Sequence, residues 1–167
     1  MPNRRAVATI LKAGLIAGTC DALAASLQFL IMVGKNPIRV WTYVASAALG
    51  RDPDPGPLTA LAGLLFHYGI ATGWAALFYL MYPKVTRVSR NWVANGLVYA
   101  VWVWMVMNLV VVPSSRVGGP IVLVPLNVAI AVGILILCIG LPISFIVDRD
   151  RRARAPLGSA AAAHSAG

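Results

Sequence analysis

The chain has 167 residues, of which 59% are hydrophobic and 11% charged, against about 45–50% and about 25% in an ordinary soluble domain. The apolar residues come in long blocks that fill more than half the chain, which excludes a soluble enzyme and leaves no room for a separate soluble domain. A formal charge of +9 would point to nucleic acid in a soluble protein, but these cations lie in tails and connections, where they set membrane topology, and imply no nucleic-acid partner.

Residues 1–9 are a basic lead-in to the first apolar block, at about 10–33. A hydrocarbon core of about 30 Å needs roughly 20 helical residues, so this block can span. Its length, and Asp21 within it, argue for an uncleaved first helix over a signal peptide. The helix ends at Gly34-Lys35-Asn36-Pro37. Ile38 to Leu49 is too short to cross. Its Ile38, Trp41, Val44, Ala45, Ala48 and Leu49 recur at helical spacing. This predicts a short amphipathic helix on the outer face, with Trp41 and Tyr43 at headgroup level, or alternatively a re-entrant segment.

Three prolines in Arg51 to Pro57 make a rigid polar loop. The second span is predicted at 58–81, stopping at Tyr82-Pro83-Lys84, and the third at 92–112. Pro113 to Pro120 turns the chain, and the fourth span covers 121–147, trimmed or bent by Pro125 and Pro142. Residues 155–167, rich in Ala, Ser and Gly, read as a disordered tail. The expected fold is all-α, an integral membrane four-helix bundle forming a single domain over 1–154, with a short interfacial helix between spans 1 and 2.

Ten of the 14 cations fall on one side of this layout: Arg4, Arg5 and Lys12, then Lys84, Arg87 and Arg90, then Arg149, Arg151, Arg152 and Arg154. Lys35, Arg39, Arg51 and Arg116 fall on the other. The excess of basic residues marks the cytoplasmic side, so both termini are expected there.

Asp21 is the one ionisable side chain in the stretch Ala13–Val33. Insertion scales charge about 2.5–3.5 kcal/mol for an acid at the helix centre, so it is expected to face the bundle interior and to have a partner. Gly14, Gly18, Asp21, Ala25 and Gln28 share one helix face, opposite Ile16, Leu23, Leu27 and Leu30. Gly14 and Gly18 form a G-x-x-x-G step for close helix packing, and Gly69 and Gly73 offer a second one. In the second span His67 shares a stripe with Ala60, Gly63, Ala71, Trp74 and Phe78. The third span adds Asn108, and the fourth adds Asn127. Depth counting puts Gln28, His67, Asn108 and Asn127 in the outer half, with Asp21 one or two turns deeper. Such a layer can be interhelical glue, or a small site with Asp21 and His67 at its centre.

No haem pair, zinc motif, P-loop or serine-hydrolase elbow occurs. No cofactor, metal or catalytic residue is expected. Cys20 and Cys138 read as small packing residues, and Trp92, Tyr99, Trp102 and Trp104 as belt or packing residues.

Short pieces in order carry a resemblance: Gly14-Leu15-Ile16-Ala17-Gly18 with Asp21, Gly34-Lys35-Asn36-Pro37, Gly63-Leu64-Leu65-Phe66-His67-Tyr68, Tyr82-Pro83-Lys84, Met107-Asn108-Leu109 with Val112-Pro113, and Gly140-Leu141-Pro142-Ile143-Ser144. Over about residues 12–145 the chain resembles the YagU-like small bacterial inner-membrane proteins of unknown function. The resemblance implies a multi-pass protein of the bacterial cytoplasmic membrane and supplies no catalytic residues. Some members are associated with acid tolerance.

The leading expectation is a non-enzymatic membrane protein with a structural or interaction role, whose partners are the lipid bilayer and a second copy or another membrane protein. The alternative is a small oligomeric transporter or channel, ion- or proton-coupled, built on the polar cluster. The topology has a direct check: alkaline phosphatase fused after His164 should be inactive in bacterial cells, and fused within the 113–120 loop it should be active. The reverse pattern would invert the orientation.

Overall fold

A computed structural model describes residues 4–50, 56–116 and 124–164. These form five helices and no strand: α1 (Arg4–Val33), α2 (Ile38–Leu49), α3 (Pro57–Val88), α4 (Trp92–Ser114) and α5 (Pro125–Arg154). All but α2 are long and apolar enough to cross a membrane. The proline-rich loop at 51–55, the Gly118-Gly119-Pro120 turn, the first residues of the expected fourth span and residues 165–167 lie outside the described residues.

Packing rests on small residues. The buried positions of α1 are Ala6, Thr9, Ala13, Gly14, Ala17, Gly18 and Ala22, a single face at three- and four-residue spacing. Its Ile16, Leu23, Leu27 and Leu30 are exposed. A Cβ on Gly14 would lie 2.6 Å from Thr72 Cα, and one on Gly18 would lie 3.0 Å from Tyr68 Cδ1. α1 thus meets α3 at a separation that leaves no space for a larger residue. α2 lies on α3 in the same way, with the Trp41 carbonyl where a Gly63 Cβ would stand. α5 lies on α4 with Gly96 and Gly140 backbone to backbone. α1 also contacts α5. The core lies between these pairs and includes Phe78, Tyr99, Val103, Ile139, Ile143 and Val147. The Phe78 and Tyr99 rings are 4.7 Å apart, and the Tyr99 hydroxyl donates to the Trp74 carbonyl at 2.7 Å.

The prolines explain the irregular places. The expected stop at Tyr82-Pro83-Lys84 does not occur, and α3 runs through Pro83 to Val88. Pro83 has no N–H, so the Tyr79 carbonyl four residues back loses its helix partner. Arg151 from α5 replaces it: its Nη2 donates to Tyr79 O at 3.0 Å while the guanidinium lies 4.0 Å over the Tyr79 ring. Two wide π-turns, Met107–Val111 in α4 and Ile136–Gly140 in α5, each end two residues before a proline, Pro113 and Pro142. The residue before each proline donates five back, Val112 to Met107 O and Leu141 to Ile136 O. Such wide turns are one way in which a helix accommodates the group that proline removes.

Past Arg154 the helical backbone continues to His164. Ala160 to Ala163 is the best helix-forming composition available.

The Pro83–Arg151 relation predicts non-additivity. Arg151→Ala should lower unfolding stability in detergent by about 1–3 kcal/mol, the cost of an unsatisfied buried acceptor. In a Pro83→Ala background, where an N–H returns to Tyr79 O, that loss should shrink. Equal losses in both backgrounds would refute the relation.

Candidate functional site

His67 is held from three sides. Its Nε2 lies 2.9 Å from the Gly18 carbonyl of α1. A carbonyl only accepts, so Nε2 carries the hydrogen, and Nδ1 is the acceptor of the neutral ring and its point of protonation. Trp41 of α2 stands edge-on at 5.3 Å between ring centroids, and Tyr68 at 5.7 Å. Tyr68 is in turn anchored by its hydroxyl, 2.9 Å from Thr19 Oγ1. The absence of a side chain at Gly18 is what admits Tyr68 and Ala71 this close to α1 and brings the imidazole within reach of the carbonyl.

Asp21 lies one turn along α1 from Gly18 and lines the same cavity as His67. The cavity has a volume of about 130 Å³ and takes wall residues from all five helices, among them Val44, Trp74, Met107 and Ile139. Its other walls are apolar, so Asp21 and His67 are its two ionisable groups. Among the described residues the Asp21 carboxylate accepts no hydrogen bond and joins no close ion pair. A cavity this size, with Asp21 and His67 in its wall, has room for several waters, and a buried carboxylate is stabilised by water, a cation or a proton. Both π-turned segments reach the cavity, through Met107 and Ile139, and wide turns of this kind are frequent at functional sites.

The rest of the expected polar layer does not assemble. Asn108 donates to Trp104 O in its own helix at 2.9 Å, and Gln28 donates to Met32 Sδ at 3.7 Å. Asn127 is exposed. None of the three lines the Asp21 cavity. Equal depth does not guarantee equal facing, and a π-turn shifts the phase of a helix. Asn108 sits inside one such turn, and Asn127 lies upstream of the other. Gly14 and Gly18 face α3, whereas nothing lies within 4 Å of a Cβ placed on Gly69 or Gly73. The glycine of α3 that meets α2 closely is Gly63. Cys20 and Cys138 are free thiols.

A second polar cluster was not singled out from the sequence. Asp148, buried, accepts from Tyr82 Oη at 2.7 Å and pairs with Arg152 Nε at 2.6 Å. Arg152 Nη2 also reaches the Arg90 carbonyl at 2.9 Å. This ties the ends of α3, α4 and α5 together. The sequence signal was the four-residue spacing of Asp148 with Arg152 and of Asp150 with Arg154.

Trp41 reaches His67 only because α2 seats on Gly63. Gly63→Ala should therefore lower thermal stability in detergent by about 1–3 kcal/mol, as overpacking does. Gly69→Ala, with open space at its Cβ, should leave stability in place. Similar effects from both would contradict the seating.

No family model, no curated protein and no solved structure matches the chain; its functional reading rests on the geometry above.

Proposed function

We propose that this chain is an integral protein of the bacterial cytoplasmic membrane, in which α1, α3, α4 and α5 cross the bilayer as a four-helix bundle and α2 lies at the outer face. Asp21 and His67 then form a protonatable site inside it, the working centre of a small proton- or cation-coupled transporter or channel. Large exposed apolar side chains along the long helices support the membrane reading, among them Leu23, Ile31, Leu65, Leu80 and Leu137. The excess of cations around both termini and the 82–91 connection supports cytoplasmic termini.

The observation that carries the functional reading is an acid without a hydrogen-bond partner among the described residues, facing an imidazole across an apolar-walled cavity where five helices meet. A purely structural role for Asp21 would be better supported by a closed interhelical network around it, such as the one at Asp148. Gln28 and Asn108 instead spend their side chains within their own helices. The proposed chemistry is binding and release: a proton or small cation shared among Asp21, His67 Nδ1 and water, with no bond made or broken in a substrate and no cofactor.

The test is flux through the purified full chain in proteoliposomes, under imposed pH and alkali-cation gradients. Wild type should dissipate one of these gradients, and Asp21→Asn should abolish that flux while thermal stability stays equal or rises. A wild-type protein that moves neither protons nor alkali cations would sink the reading. A marked loss of stability in Asp21→Asn would turn it back into structural glue.

A further inference from the structure

At the Asp148 end of the helices, α1 and α5 enclose a cleft of about 700 Å³, which shares no lining residue with the Asp21 cavity. Its α1 wall is Thr9, Lys12 and Ile16, at spacings of three and four. Its α5 wall places Pro142, Phe145 and Ile146 beside Arg149 and Asp150. Both walls follow the same order along their helices: apolar side chains toward the middle, and the polar and charged ones toward the end. Ile16 and Phe145 are exposed, so the apolar part opens outward.

The charges are unequally engaged. Asp150 is taken up by Arg154, whose Nη2 lies 2.8 Å from Oδ2 and 2.9 Å from Oδ1. Lys12 and Arg149 are exposed and join no ion pair among the described residues. The cleft therefore presents two uncompensated cations above an apolar slot. A phosphate with attached hydrocarbon satisfies both halves at once: phosphate oxygens on Lys12 and Arg149, and acyl chains against Ile16, Phe145 and Ile146. Basic pockets between membrane helices on the cytoplasmic side take anionic lipid headgroups in this way.

We infer that the α1–α5 cleft is a binding site for an anionic phospholipid of the cytoplasmic leaflet, held by Lys12 and Arg149. This rests on the membrane reading above and is independent of the flux reading. The site would make the lipid a filler of the α1–α5 seam, the seam that flanks the helix carrying Asp21.

The experiment is native mass spectrometry of the full chain released from detergent, with phosphatidylglycerol and phosphatidylcholine supplied at equal concentration. Wild type should retain phosphatidylglycerol preferentially. Each basic residue near an anionic surface contributes about fivefold, so Lys12→Ala with Arg149→Ala should weaken retention about thirtyfold. Lys84→Ala with Arg87→Ala removes the same charge from the end of α3 and should leave retention unchanged. Glycerol 3-phosphate, which has the phosphate and lacks the chains, should not bind. Undiminished retention in the Lys12/Arg149 variant, an equal loss in the Lys84/Arg87 variant, or binding of glycerol 3-phosphate as strong as that of the lipid would each overturn the site. Extraction of the protein from membranes by alkaline carbonate would instead defeat the membrane reading. Persistence in the carbonate pellet without lipid selectivity would defeat this inference alone.

Discussion

Backbone-to-backbone contact at glycine is the constraint on which the remainder depends. Gly14 and Gly18 bring α3 onto α1, Gly63 brings α2 onto α3, and Gly96 with Gly140 brings α5 onto α4. Helices that approach this closely put main-chain carbonyls within reach of side chains from their neighbours. His67 uses Gly18 O, and Tyr99 uses Trp74 O. Where apolar side chains gain nothing by leaving an apolar solvent, close van der Waals contact and such interhelical hydrogen bonds are the remaining sources of association.

Proline supplies the complementary theme. Pro83, Pro113 and Pro142 each remove a helix hydrogen bond, and each removal has a structural consequence. At Pro83 the freed carbonyl recruits Arg151 and so couples the end of α3 to α5. Ahead of Pro113 and Pro142 the helix widens. Both widened turns contribute to the walls of the Asp21 cavity. The cavity thus exists where regular helix packing is interrupted, and its two ionisable groups come from α1 and α3, which are regular.

Asp21 and Asp148 show how differently two acids can be managed in one apolar chain. Asp148 sits just past the apolar stretch of α5 and is satisfied by a tyrosine and an arginine. Asp21 sits mid-helix with no bonded partner among the described residues, beside an imidazole whose Nε2 is already committed. The first arrangement fastens helix ends. The second leaves capacity for something that comes and goes.

The long helices, the amphipathic segment between the first two, and the polar and greasy faces of α1 were all legible in the sequence, because each depends on local period and composition. Asp21 and His67 as cavity neighbours were legible as a geometric option, since small residues flank both. The polar layer with Gln28, Asn108 and Asn127 was not correctly legible. For Asn108 and Asn127 it assumed unbroken helical phase, and two π-turns break it; Gln28, on a regular helix, turns to Met32 of its own helix. Gly69 and Gly73 meet no other helix among the described residues of the single chain, while Gly63 makes the contact with α2. Spacing identifies which residues share a face, but the partner that face meets is chosen by three-dimensional packing. By itself the sequence determined the elements, their apolar character and the unusual acid within the first of them. Only the tertiary structure decided which carbonyl His67 would hold, which proline needed an arginine, and that Asp21 would open onto a cavity, because each of these depends on contacts between residues distant in the chain.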